Sequence, residues 1–139
     1  MRRTLRRLHG FGLSKTELEA LLAYVSRMEV PAARADRDPL VARGEAIFAS
    51  AETGCARCHA GDRTTDGVTH DVVSLVKGDR SRLFDTPSLR FIGRSAPYFH
   101  DGRYATLEDL IRGVDGTMGN TAHLGAEDVR ALVAYLETL

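Results

Sequence analysis

Apolar residues recur at helical spacing in four separate stretches of the chain. Leu18, Leu21, Leu22, Val25 and Met28 fall on one face, because positions three and four apart stack along the same side of a helix. Ser14 precedes this face and Glu17 follows it by three, the pattern of a capping box, with Leu13 and Leu18 placed for a hydrophobic staple. Pro31 ends the helix, since it lacks the N–H that the next turn needs. A second face comprises Leu40, Val41, Gly44, Ile47 and Phe48. Asp38 is its N-cap and Pro39 takes the first helical position, where a missing N–H costs nothing. "ATLEDLIRGV" predicts a third helix, capped by Thr106 with Asp109 three residues on. The last helix runs from about Gly125 to Leu139, with Val129, Leu132, Val133 and Leu136 at core spacing. Residues 60–97 are rich in Gly, Asp, Thr and Ser and predict mostly loop with short helical pieces. The expected fold class is all-α.

The first and last faces resemble each other. "LSKTELEALLAYVSRM" (13–28) aligns without gaps to "LGAEDVRALVAYLETL" (124–139). Amphipathic core helices share apolar periodicity in any case. The sharper interpretation makes residues 1–30 the closing helix of a preceding, related domain, 31–37 a linker, and 38–139 the complete domain.

At 139 residues the chain is long enough for one domain with some flanking structure. Its formal net charge is zero, so no overall imbalance draws it to nucleic acid or to a membrane surface. The charge is uneven: residues 1–37 hold eight Lys/Arg against four Asp/Glu, and the remainder eleven against fifteen. "MRRTLRRLHG" has the basic character of a signal-peptide start, but no apolar run follows it. Neither a secretory signal nor a membrane span is expected within these residues.

The two cysteines lie in "GCARCHAGD", residues 54–62. A thioredoxin-type dithiol needs a strand before the pair and a helix starting at it; here a helix precedes and a polar loop follows. A zinc site normally takes two further ligands at tight spacing, whereas His70, His100 and His123 are scattered. The third chemistry uses every residue of Cys55-x-x-Cys58-His59. The two thiols add across haem vinyl groups as thioethers, and the next residue presents an imidazole to the iron. Gly44 then lets the closing helix approach, and Phe48 packs near the haem edge.

The second axial position has four candidates: Met118, His70, His100 and His123. A thioether raises the potential and suits an electron carrier, an imidazole lowers it, and an open position permits small-molecule chemistry. Met118 sits in the polar glycine loop "DGTMGNT", where no helical face explains it, and is the preferred ligand. His123 is its main rival.

"CARCHAGDRTTDGVTHDV", "FDTPSLRFIGRSAPYFHDGRYATLEDLI" and the loop-Met-helix ending resemble the C-terminal haem domain of the bacterial di-haem cytochrome c peroxidase/MauG family over about residues 40–139. The resemblance implies a c-type cytochrome fold, class I-like, around one covalent haem c. It implies that this haem is the electron-accepting one, held by the motif histidine and a loop methionine, which map onto His59 and Met118. It places peroxide chemistry at another haem in an upstream domain, for which these residues hold no second motif. The family's interdomain calcium has no oxygen-ligand cluster here to receive it. Arg90, in the Thr-Pro-Ser-Leu-Arg run, is a candidate partner for a haem propionate, since a guanidinium matches a carboxylate bidentately. Tyr98, Phe99 and His100 are expected around the haem pocket, His100 as a hydrogen-bonded residue and His70 as a loop-fixing one.

The expectation is one-electron transfer with an upstream haem domain or a redox partner protein. Membership of an active di-haem peroxidase is the enzymatic alternative, and a zinc or disulfide structural module is the third. Haem is attached covalently outside the cytoplasm, so a periplasmic location is expected, with the export signal upstream of these residues.

Overall fold

The structure, a computed structural model, describes residues 12–28 and 38–139. The expected linker 31–37 and the basic start lie outside the described residues. The chain divides into two compact units, Met1–Ala32 and Ala33–Leu139.

The first unit contributes helix α1 (Lys15–Ser26). Its capping box forms in both directions. The Ser14 hydroxyl accepts from the Glu17 N–H at 3.3 Å, and the Ser14 N–H donates to the Glu17 carboxylate at 2.8 Å. On the apolar face of α1 Leu18 and Leu21 are half-buried, Leu22 and Val25 are exposed, as is Met28 beyond its end, and no residue of the helix is fully buried.

The second unit is built on two helices, α2 (Pro39–Ala49) and a closing helix that becomes α4 (Ala126–Leu136). Asp38 caps α2 by accepting from the Leu40 N–H at 2.8 Å. Gly44 and Phe48 are the buried residues of α2, and Val129, Ala131, Leu132 and Leu136 those of α4. The helices cross at Gly44, where an added Cβ would lie inside the carbonyl group of Ala131 and 2.8 Å from the Tyr135 Cβ. Only a residue without a side chain lets the two backbones come this close. Arg43 and Asp128 pair across the crossing at 2.7 Å, an exposed bridge that sets register more than stability. Between them lies α3 (Leu107–Gly113), capped by Thr106, whose Leu107 and Ile111 join Phe48, Val129, Leu132 and Leu136 in one core.

The all-α expectation needs correction. Thr69–Asp71 (β1) and Leu83–Asp85 (β2) pair as a two-stranded antiparallel sheet, with His70 opposite Phe84. Each strand has three residues, too short for alternation to register against a loop background. Both put their middle residue inward, and an Asp71–Arg82 pair at 2.7 Å closes one end. The C-terminus is also shorter as a helix than expected. Its last residues leave α4, and the Leu139 carbonyl accepts from the Phe91 N–H at 3.0 Å, tying the chain end to a 3-10 turn at Ile92–Arg94.

Candidate haem-attachment site

The end of α2 delivers the cysteine motif directly. Thr53 is 2 % exposed, and its hydroxyl donates to the carbonyls of Ile47 at 2.6 Å and Ser50 at 3.2 Å. It thereby adds a side-chain bond to two carbonyls that already accept backbone N–H groups, Ile47 from Ser50 and Ser50 from Gly54. Gly54 follows with φ +73°, in the left-handed region that favours glycine. The chain then turns as a 3-10 helix over Cys55–Arg57, and the His59 N–H returns to the Cys55 carbonyl at 3.1 Å. Both cysteines are free thiols and half-buried. Burial pushes the Cys55 thiol above its usual range.

His59 is fixed by its other ring nitrogen. Nδ1 lies 3.2 Å from the Thr64 carbonyl oxygen. A carbonyl only accepts, so this contact places the proton on Nδ1 and makes Nε2 the donor nitrogen; the Pro87 backbone bonds the ring as well. Burial lowers the imidazole pKa, which favours the neutral, ligating form.

Thr64 has φ +51°, an uncommon conformation for a β-branched residue. It is held by the Thr-Pro-Ser-Leu-Arg segment: the Leu89 N–H donates to the Thr64 hydroxyl at 2.7 Å. Arg90 reinforces this clamp, donating from Nε at 3.1 Å and Nη2 at 2.6 Å to the Asp62 carbonyl. The roles of Thr53 and Thr64 were not legible beforehand. Both are carried by contacts with backbone groups, and a lone threonine in a polar stretch leaves no pattern.

The residue types and their arrangement fit a covalent haem c. Two thiols on one turn are free to form thioethers, and a neutral imidazole with its outer nitrogen anchored follows at once. Among the described residues there is one rival grouping. Ligand atoms of Cys58, Asp66 and His70 lie within 4.8 Å of one another. It offers three donors, where a structural zinc site takes four, and it uses a sulfur that haem attachment would consume.

The sixth-position candidates are scattered differently. Met118 is half-buried in the loop between α3 and α4. That loop rests on the motif: the Asn120 N–H donates to the Thr53 carbonyl at 2.9 Å, and a Cβ on Gly119 would lie 3.7 Å from the Cys55 Sγ. His70 bonds Asp66 at 2.7 Å. His100 bonds Asp79 at 3.2 Å and Ser74 at 3.4 Å, and stacks on Phe84 with ring centroids 4.1 Å apart. His123 faces Glu52 at 3.8 Å. Tyr98 is buried in the core, and Phe99 packs edge-on against Tyr104.

The Asp66 turn carries a pH signature. Its carboxyl is lowered to about 2, first by the Val68 N–H and then by His70. The folded pKa lies below the unfolded value of about 3.9, so the contribution is complete above that value and is lost as the pH falls towards the folded one. Asp66→Asn is expected to flatten the acid limb of a stability–pH curve below about pH 4. A limb parallel to that of the wild type would show that the turn adds nothing.

Comparison with known proteins bears on the family of the chain. Residues 39–136 match the protein family described as cytochrome c oxidase, cbb3-type, subunit III. The methylamine utilization protein MauG of Methylorubrum extorquens is 33% identical over 119 residues, covering 70% of this chain and 33% of that protein. The hydrazine synthase subunit gamma of Kuenenia stuttgartiensis is 36% identical over 124 residues, covering 73% and 35% respectively. A solved Kuenenia hydrazine synthase chain superposes with a TM-score of 0.77 at 29% identity, over 92% of this chain and 56% of that one. The cytochrome c551 peroxidase of Nitrosomonas europaea is 31% identical over 108 residues, covering 63% of this chain and 30% of that protein. The chain thus spans about a third of the length of these curated relatives. The cysteine motif, its anchored histidine and the c-type cytochrome fold converge: the chain belongs to the cbb3-type cytochrome c oxidase subunit III family of cytochrome c domains, as a haem domain of the cytochrome c peroxidase/MauG group.

Proposed function

We propose that this domain is a one-electron carrier with a single covalent haem c, acting as the electron-accepting C-terminal domain of a longer, periplasmic di-haem protein. When bound, the haem supplies reversible one-electron chemistry at its iron. Everything else is placement by the chain. Cys55 and Cys58 would anchor the group through thioethers, and His59 would offer Nε2 to its iron while Thr64 holds the ring. Met118 would offer a thioether to the iron, and Arg90 would meet a propionate through N–H groups other than those on Asp62. The observation that carries this reading is the His59 Nδ1 contact to the Thr64 carbonyl at 3.2 Å beside two free thiols. The exposed Leu22 and Val25 of α1 and its likeness to the closing helix support an upstream domain that α1 completes.

Expression with export and haem-attachment machinery is expected to yield a protein with a c-type absorption spectrum in both redox states. A colourless product would overturn the reading in favour of the metal or disulfide module. Met118→Ala is expected to open the sixth position and lower the potential by a sizeable part of the roughly 0.8 V over which axial ligands set haem potentials. An unchanged spectrum and potential would transfer the role to His123. The enzymatic alternative makes the domain part of an active peroxidase. It predicts peroxide turnover by the longer protein and none by this chain, where His59 and Met118 would both hold the iron. Turnover by this chain alone would contradict that pair of donors.

A further inference from the structure

We infer that Asp115 is the positioning residue that keeps Met118 in place, by closing the loop that carries it. The inference rests on the reading of Met118 as the sixth-position donor. Met118 is weakly tied on its own account: its N–H reaches the Val114 carbonyl at 3.3 Å. The contacts that shape the loop lie on either side of it.

The Oδ1 of Asp115 accepts from the Thr121 N–H at 2.6 Å and from the Ala122 N–H at 2.8 Å, so one carboxylate joins the first residues of the loop to its last. Within this ring the Gly116 N–H donates to the Gly119 carbonyl at 2.7 Å, and Asp115 and Gly119 pair as an isolated bridge. Thr121 pins the end of the loop to the core, its hydroxyl donating to the Ile111 carbonyl at 2.8 Å. Asn120 pins the middle to Thr53 beside the cysteine motif.

The two fixed points, Thr121 and Asn120, both follow Met118 in sequence. The segment before it, Asp115 to Thr117, is held back onto them by the carboxylate. Hydrogen bonds from N–H groups to an ionised carboxylate are the stronger kind, and the two N–H groups hold the Asp115 carboxyl below the usual carboxylate range. Without that acceptor the loop keeps its downstream anchors and the Gly116–Gly119 bond, but Asp115 loses its two bonds to Thr121 and Ala122, and the segment leading into Met118 is held by fewer ties. The thioether then exchanges with external ligands more readily. A loop opened in this way gives a weaker hold on the sixth position with the rest of the core intact.

The test uses the haem-loaded full chain and three variants: Asp115→Ala, Asp115→Asn and Met118→Ala. Cyanide and imidazole are the probes, and the near-infrared band of a thioether on ferric haem is the signature. Asp115→Ala is expected to bind the probes about tenfold more tightly than wild type, the scale of losing hydrogen bonds to a charged acceptor. It is also expected to weaken the thioether band while the melting profile stays cooperative. Asp115→Asn keeps an acceptor oxygen of the same shape, so it folds where alanine does not, and is expected to fall between wild type and alanine. Met118→Ala marks the upper limit of probe affinity and has no thioether band. Wild-type probe affinity and band in the asparagine variant, and in the alanine variant where it folds, with Met118→Ala altered, would overturn the role of Asp115 alone. An unaltered Met118→Ala would instead overturn the ligand assignment beneath it.

Discussion

Gly44→Ala destabilises the domain by about 2 kcal/mol or more, the expected result of one added methyl at the α2–α4 crossing. Two effects oppose each other. Alanine is the better helix former by about 1 kcal/mol, and at an open site that gain would dominate. Here the new Cβ would overlap the Ala131 carbonyl, which is backbone and cannot rotate away. The helices must separate, which strips contacts from Phe48 on one side and Leu132 on the other. Overpacking of this kind typically costs about 1–3 kcal/mol and more when backbone moves, so the steric term exceeds the propensity gain. For a domain of this size the midpoint of thermal unfolding should fall by roughly 10 °C. Ala46→Gly, on an exposed position of the same helix, serves as the control and is expected to lose only about 1 kcal/mol. A Gly44→Ala protein as stable as the wild type would mean that the crossing is wider than the structure has it.

The second large effect concerns attachment. Replacing Cys55 and Cys58 together by alanine is expected to abolish covalent haem, read as loss of the haem mass increment and of haem staining on a denaturing gel. Each single variant retains one thioether and should keep haem through the denaturing step at reduced yield, because either sulfur alone still tethers the ring. His59 is unaltered in these variants, and its Nδ1 contact to Thr64 remains, so any haem bound in solution is expected to be non-covalent and held by ligation alone. Covalent haem persisting in the double variant would place the anchor elsewhere. The same preparation discriminates the Cys58–Asp66–His70 grouping: zinc retained by a colourless wild-type chain would favour a metal module.

Much of the local structure was legible in the sequence. Ser14 with Glu17, Asp38 with Pro39, and Thr106 with Asp109 announce helix starts, and all three caps are in place. Capping works over three or four residues, so the pattern and the structure it causes occupy the same short window. The close packing at Gly44 was also legible, because a glycine on an apolar helical face has few other reasons to be there. The sheet was not. Three-residue strands separated by an eleven-residue connection carry no periodic signal, and their pairing is decided by what each meets across the gap.

The sequence by itself determined the covalent chemistry on offer and the helices that frame it. The spacing of Cys55, Cys58 and His59 is a property of one turn of chain, and helical faces are a property of a dozen residues. Only the tertiary structure decided how that chemistry is held. The Thr64 carbonyl orients His59, Arg90 braces the segment beside it on Asp62, and the Asp115 loop rests on Thr53. These are hydrogen bonds to backbone carbonyls from residues far apart or out of phase in the chain. A backbone carbonyl is present at every position, so nothing in the order of side chains marks which one will be used until the fold brings it to the ring.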